Sequence, residues 1–131
     1  MIRTTITYKW GLYNHLLTYI DSDFIKNNVS INTILIAGAT HNTLRVNWTN
    51  NLYLSDYVKV IDLSGIPNGI SYVTNDKGQR IHFISAECGK EAFKPYLFDL
   101  VINDRVKDNG ILAELECRLI NSKHNELITI T

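Results

Sequence analysis

Ile111-Leu112-Ala113-Glu114-Leu115-Glu116-Cys117-Arg118-Leu119-Ile120 is the stretch on which the fold reading turns. Its odd positions are apolar, while Glu114, Glu116 and Arg118 point the other way, which is the alternation of a half-buried strand with one wet face. On that reading Cys117 is a buried thiol, and Glu114 and Glu116 share a solvated face balanced by Arg118. The preceding Asp108-Asn109-Gly110 has the residues a tight hairpin needs, because Asn, Asp and Gly tolerate positive φ. It would join this strand to Pro95–Val106, which is read as strand in preference to helix.

Working outward, the same period of two recurs. Ile6, Tyr8 and Trp10 share a face. Leu44, Val46 and Trp48 alternate with Arg45 and Asn47. Tyr57–Leu63, Ile70–Thr74 and Arg80–Ile84 are strand-like, and Asn75-Asp76-Lys77-Gly78 is a turn between the last two. Ile31–Ile36 is a shorter and more continuously apolar run. Asn121–Asn125 is a turn before a final strand, Glu126–Thr131. One helix is expected, over about 11–20, where Leu12, Leu16 and Ile20 fall at i, i+4 and i+8. The expected class is mainly β: an antiparallel β-sandwich or small barrel with this one short helix near the N-terminus. The 131 residues suffice for a single β-rich domain, with a subdivision near residue 87 as its weakest join.

Composition narrows function by exclusion. Lys+Arg and Asp+Glu are equal at 13 each, so the basic footprint of a dedicated nucleic-acid binder is missing. The 17 Ile and 14 Asn are what an AT-rich gene would encode. A surface with no net charge resists self-association poorly, which suits a protein that sits in an assembly. The N-terminus has no apolar core of a signal peptide, and no apolar run approaches the ~18 residues of a membrane span. The chain is therefore expected to be made in a cytoplasm.

The sequence contains no GxGxxG, GxxxxGK[ST], HExxH or GxSxG pattern. No cofactor, metal or catalytic residue is assigned, and the chain is expected not to be an enzyme. The histidines His15, His41, His82 and His124 form no i, i+4 pair. His124 reads as a solvated turn residue, and His82 as a residue on a sheet face. A Cys88–His41 or Cys88–His82 nucleophile–base pair is conceivable only if the fold brings the partners together. Interfaces favour aromatic anchors. Tyr53, Leu54 and Tyr57, in a loop more apolar than a free loop needs, are candidate interface residues. Leu127, Ile128 and Ile130 are candidates too, on a terminal strand read as an open edge, and Thr4–Trp10 is a second such edge.

Residues 42–85 have a cadence of their own. Leu44–Trp48 leads into Leu54-Ser55-Asp56-Tyr57-Val58-Lys59-Val60, then Pro67-Asn68-Gly69-Ile70-Ser71-Tyr72-Val73-Thr74, a turn, and Arg80–Ile84. This resembles the small β-barrel module of tailed-bacteriophage neck, tail and fibre proteins, although Ser55-Asp56 stands where those more often have Gly-Asp. The resemblance implies a non-enzymatic virion structural protein. Its partners would be copies of itself, in a homo-oligomeric ring or lattice, and other virion proteins. The alternative is a small phage or bacterial binding module: an inhibitor, an immunity protein or a ligand-sequestering protein.

Overall fold

A computed structural model describes residues 1–48, 57–61, 70–75, 77–119 and 122–131. Seven strands form one sheet: β1 (Ile2–Ile6), β2 (Thr33–Gly38), β3 (Tyr57–Ile61), β4 (Ile70–Asn75), β5 (Arg80–Ser85), β6 (Leu100–Asp104) and β7 (Glu126–Ile130). Their order is β1-β7-β6-β2-β5-β4-β3. Pairing is parallel from β1 through β7, β6 and β2 to β5, and antiparallel only for β5–β4 and β4–β3. Helices α1 (Leu12–Ile20), α2 (Asp23–Lys26), α3 (His41–Asn47) and α4 (Asn109–Leu119) complete the fold.

The protein is thus an α/β fold and not an antiparallel sandwich or barrel. Parallel strands need a crossover between them, and helices supply it. Strand β1 reaches β2 through α1 and α2, and β6 reaches β7 through α4. The two sheet faces carry separate cores. Ile34, Ile36, Leu100, Ile102, Ile128 and Ile130 pack against α1, α2 and α3. On the opposite face, Leu35, Ala37 and Val101 meet Phe93, Phe98 and the buried side of α4. Covered on both faces, β6 is buried at every residue and β2 at all but its first. Such strands read as continuous apolar runs instead of alternating ones.

The stretch from Ile111 to Leu119 is helical. Ile111, Leu115 and Leu119 are buried at i, i+4 and i+8, while Ala113 and Cys117 are exposed. Apolar residues at every odd position satisfy both periods at 111, 115 and 119. Only 113 and 117 distinguish them, and a small residue and a thiol are tolerated outside. Asp108 accepts the Ile111 N–H at 3.0 Å, so Asp108-Asn109-Gly110 starts a helix instead of turning a hairpin. Strand β6 pairs with β2 and β7 in place of 111–120.

Leu44–Trp48 is likewise not a strand. Thr40 accepts the Thr43 N–H at 3.0 Å as the cap of α3, and Leu44 turns inward. The start of the segment that resembles a barrel module is therefore a helix, and β3–β4–β5 form one antiparallel side of the open sheet. The expected helix at 11–20 is present as α1. So are β2, β4, β5 and the Asn75–Gly78 turn, in which Gly78 N–H donates to Asn75 O at 3.1 Å and Gly78 has φ +80°.

Candidate functional site

The five parallel strands finish together. Register places Ile6 beside Ile130, Ile130 beside Asp104, Asp104 beside Gly38, and Gly38 beside Ser85. The chain leaves this row through four connections: residues 7–11 into α1, Arg105–Asp108 into α4, Ala39–Thr40 into α3, and the 3-10 turn Ala86–Cys88. In open α/β sheets the crevice outside the carboxyl ends of the strands is the usual ligand site.

Asp104, the last residue of β6, is fully buried at the centre of the row. Three side chains among the described residues donate to it. The Tyr13 hydroxyl reaches Oδ1 at 3.1 Å, and Trp48 Nε1 and Asn47 Nδ2 reach Oδ2 at 2.9 and 3.3 Å. Burial, and then the Asp104 carboxylate, push the Tyr13 phenol up to about 12, so it remains a donor at any ordinary pH. Tyr13 meets the Trp48 indole edge-on at 5.2 Å and lies 5.6 Å from the Tyr8 ring. The Arg105 guanidinium sits 4.5 Å above Tyr8. Arg105 has φ +64°, a left-handed conformation that costs a non-glycine residue and persists only where contacts enforce it. Tyr13, Asn47 and Trp48 therefore occupy the Asp104 carboxylate, and the exposed Tyr8 ring and Arg105 guanidinium stack outside Tyr13.

A second cluster stands at the same rim. Cys88 Sγ lies 3.8 Å from His41 Nε2, and the Glu87 carboxylate accepts the His41 backbone N–H at 2.8 Å. The fold makes the Cys88–His41 pairing and not the Cys88–His82 one. His82 instead lies in the sheet among the rings of Tyr72, Tyr96 and Phe98. His124 is half-buried and held by Glu126 Oε1 at 2.6 Å, which also accepts from Tyr19 at 2.9 Å; it is not a solvated turn residue. Among the described residues no group of three or more His, Cys, Asp or Glu is placed to hold a metal ion.

The interface candidates fall differently. Tyr53 and Leu54 lie outside the described residues, and Tyr57 is the first residue of β3. Strand β7 is not an open edge: it is flanked by β1 and β6, with Ile128 and Ile130 buried and Leu127 half-buried. Strand β1 is one edge of the sheet, exposed along nearly its whole length, and β3 is the other. Trp10, 95% exposed, projects from the connection that follows it. Tyr13, Asn47, Trp48 and Arg105 carried no signal as a group, since Tyr13 stands 91 residues and Trp48 56 residues before the acid they share. Asp104 did carry one: an apolar run, Leu100-Val101-Ile102, that ends near an acid.

No family model and no curated protein matches the chain. Among solved structures it is similar to the large terminase of a thermophilic bacteriophage, determined in complex with ADP, with a TM-score of 0.67 and 14% sequence identity. The match covers 98% of this chain and 33% of the terminase. The likeness is one of fold, and the chain spans about a third of the length of that neighbour.

Proposed function

We propose that this chain is a non-enzymatic bacteriophage protein of the virion or its assembly machinery, built on an α/β scaffold like that of the terminase and acting through protein–protein contact. The observation that carries the reading is the engagement of Asp104 by Tyr13, Asn47 and Trp48. In a phosphate-binding α/β protein of the P-loop kind, the acid ending a central strand helps hold a magnesium ion. A glycine-rich strand–helix loop cradles the phosphates and ends Gly-Lys-Ser/Thr. Here the loop is Thr7-Tyr8-Lys9-Trp10-Gly11, with Leu12-Tyr13 following. It has one glycine and neither the lysine nor the small hydroxyl at those places. Tyr13 binds the acid directly with Tyr8 against its ring, and Arg105, the residue after the acid, stands over Tyr8.

The phage structural neighbour supports the setting, and the exposed β1 edge and Trp10 support contact as the mode of action. An edge strand offers unpaired backbone groups to a neighbour, and a projecting Trp is a common anchor. The test has two arms. Titration with magnesium-ADP and magnesium-ATP up to millimolar concentration is expected to give no saturable heat and no phosphate release. Light scattering is expected to show a mass that rises with concentration, or on adding other virion proteins. Saturable nucleotide binding that Asp104→Asn weakens would overturn the reading.

A further inference from the structure

The rim cluster of Cys88 and His41 is used by neither the core nor the proposed function. Two connections bring it together. His41 is the first residue of α3, and Cys88 closes the 3-10 turn that follows β5. Strands β2 and β5 are direct parallel neighbours that end at Gly38 and Ser85 in register. The turn is fixed by Ser85 Oγ, which accepts the Glu87 N–H at 3.0 Å. The Glu87 carboxylate then ties the turn to the first residue of α3. The thiol and imidazole are thus held at 3.8 Å by two strand ends and a cross-link, with Cys88 exposed and His41 half-buried.

We propose that Cys88 is a reactive-thiol modification site, activated by His41 and open to low-molecular-weight disulfides. His41 accepts the Cys88 proton. The thiolate attacks one sulfur of the disulfide, the old S–S bond breaks as the new one forms, and the departing thiolate takes the proton back from the imidazolium. The products are a mixed disulfide on Cys88 and one equivalent of free thiol. A thiolate beside a protonated imidazole is the chemistry that distinguishes reactive from inert cysteines, provided the sulfur is accessible. Cys117 supplies the comparison within the same molecule. It is also exposed, but on α4 beside Glu116, with no imidazole among the described residues within hydrogen-bond distance.

The experiment follows disulfide exchange of the full chain with oxidised glutathione and with an aromatic disulfide, and locates the adducts by peptide mass spectrometry. Cys88 is expected to react about tenfold or more faster than Cys117. His41→Ala is expected to bring Cys88 to the Cys117 rate and to remove the far-ultraviolet thiolate absorbance, with the Cys117 rate unchanged. His41→Asn is the second variant should the first fail to fold, and circular dichroism checks both. Equal rates at the two cysteines in the unaltered chain would overturn the proposal. So would a fast Cys88 that stays fast in either folded His41 variant.

Discussion

The indole N–H of Trp48 donates to the buried carboxylate of Asp104 across 2.9 Å, joining the end of α3 to the last residue of β6. Neither group is solvent-exposed. A buried carboxylate without donors would cost far more than a hydrogen bond returns, so this contact and that of Tyr13 are conditions of the fold.

Trp48→Phe keeps most of the ring volume and deletes the N–H. The expected loss is about 1–3 kcal/mol, the usual cost of leaving a buried acceptor short of a donor. Chemical denaturation of the two proteins measures it. A variant as stable as the original would mean that the contact contributes nothing.

Gly38 ends β2 beneath α3. A Cβ there would lie 2.6 Å from Leu44 Cγ and 2.7 Å from Cδ2. Because Leu44 is itself buried, Gly38→Ala is expected to destabilise by about 1–3 kcal/mol through overpacking. In Gly38→Ala/Leu44→Ala the combined loss should be smaller than the sum of the single losses. Strict additivity in that double-mutant cycle would remove the steric explanation.

Leu115 and Ala113 test the helical facing of α4. Leu115 is 1% exposed, and Leu115→Asp is expected to abolish folding because a lone buried charge costs several kcal/mol. Ala113→Glu, on the outer side, should change stability by no more than about 0.5 kcal/mol. A strand at 111–120 would put both residues in the core and make both substitutions severe. Thermal melts of the two variants separate these cases.

His82 makes stability pH-dependent. Burial, and then the charge of Arg80, hold its imidazole down at about 4. An unfolded chain takes up the same proton near pH ~6.5. The folded pKa lies below the unfolded one, so the contribution is complete above the unfolded value and is lost as pH falls from there toward the folded value. With solvent screening of the Arg80 charge counted, the expected loss is about 1–2 kcal/mol by roughly pH 4.5. His82→Phe should flatten that part of the stability profile, as read from denaturation midpoints across the pH series. An unchanged slope in the variant would assign the acid sensitivity to other groups.

Local chemistry alone determined much of this molecule. The i, i+4, i+8 leucine and isoleucine spacing produced α1, and Asn75–Gly78 produced its turn. Strand-forming runs at 31–36, 70–74, 80–84 and 126–131 became strands. These features depend on neighbours in the chain, so their physics is present in a short window. The direction of strand pairing does not. The runs Ile34–Ala37 and Leu100–Ile102 have the continuous apolarity of strands covered on both faces, yet the same residues could pair either way until helices occupy those faces. The period of 111–119 was ambiguous for the same reason: only the sheet beneath decides whether Ala113 and Cys117 go in or out. Both side-chain clusters at the strand ends belong to this second kind. Asp104 meets Trp48 and Tyr13, and Cys88 meets His41, because parallel strands from distant parts of the chain end in one row. Alignment of strand ends is a property of the assembled sheet, carried by no segment by itself.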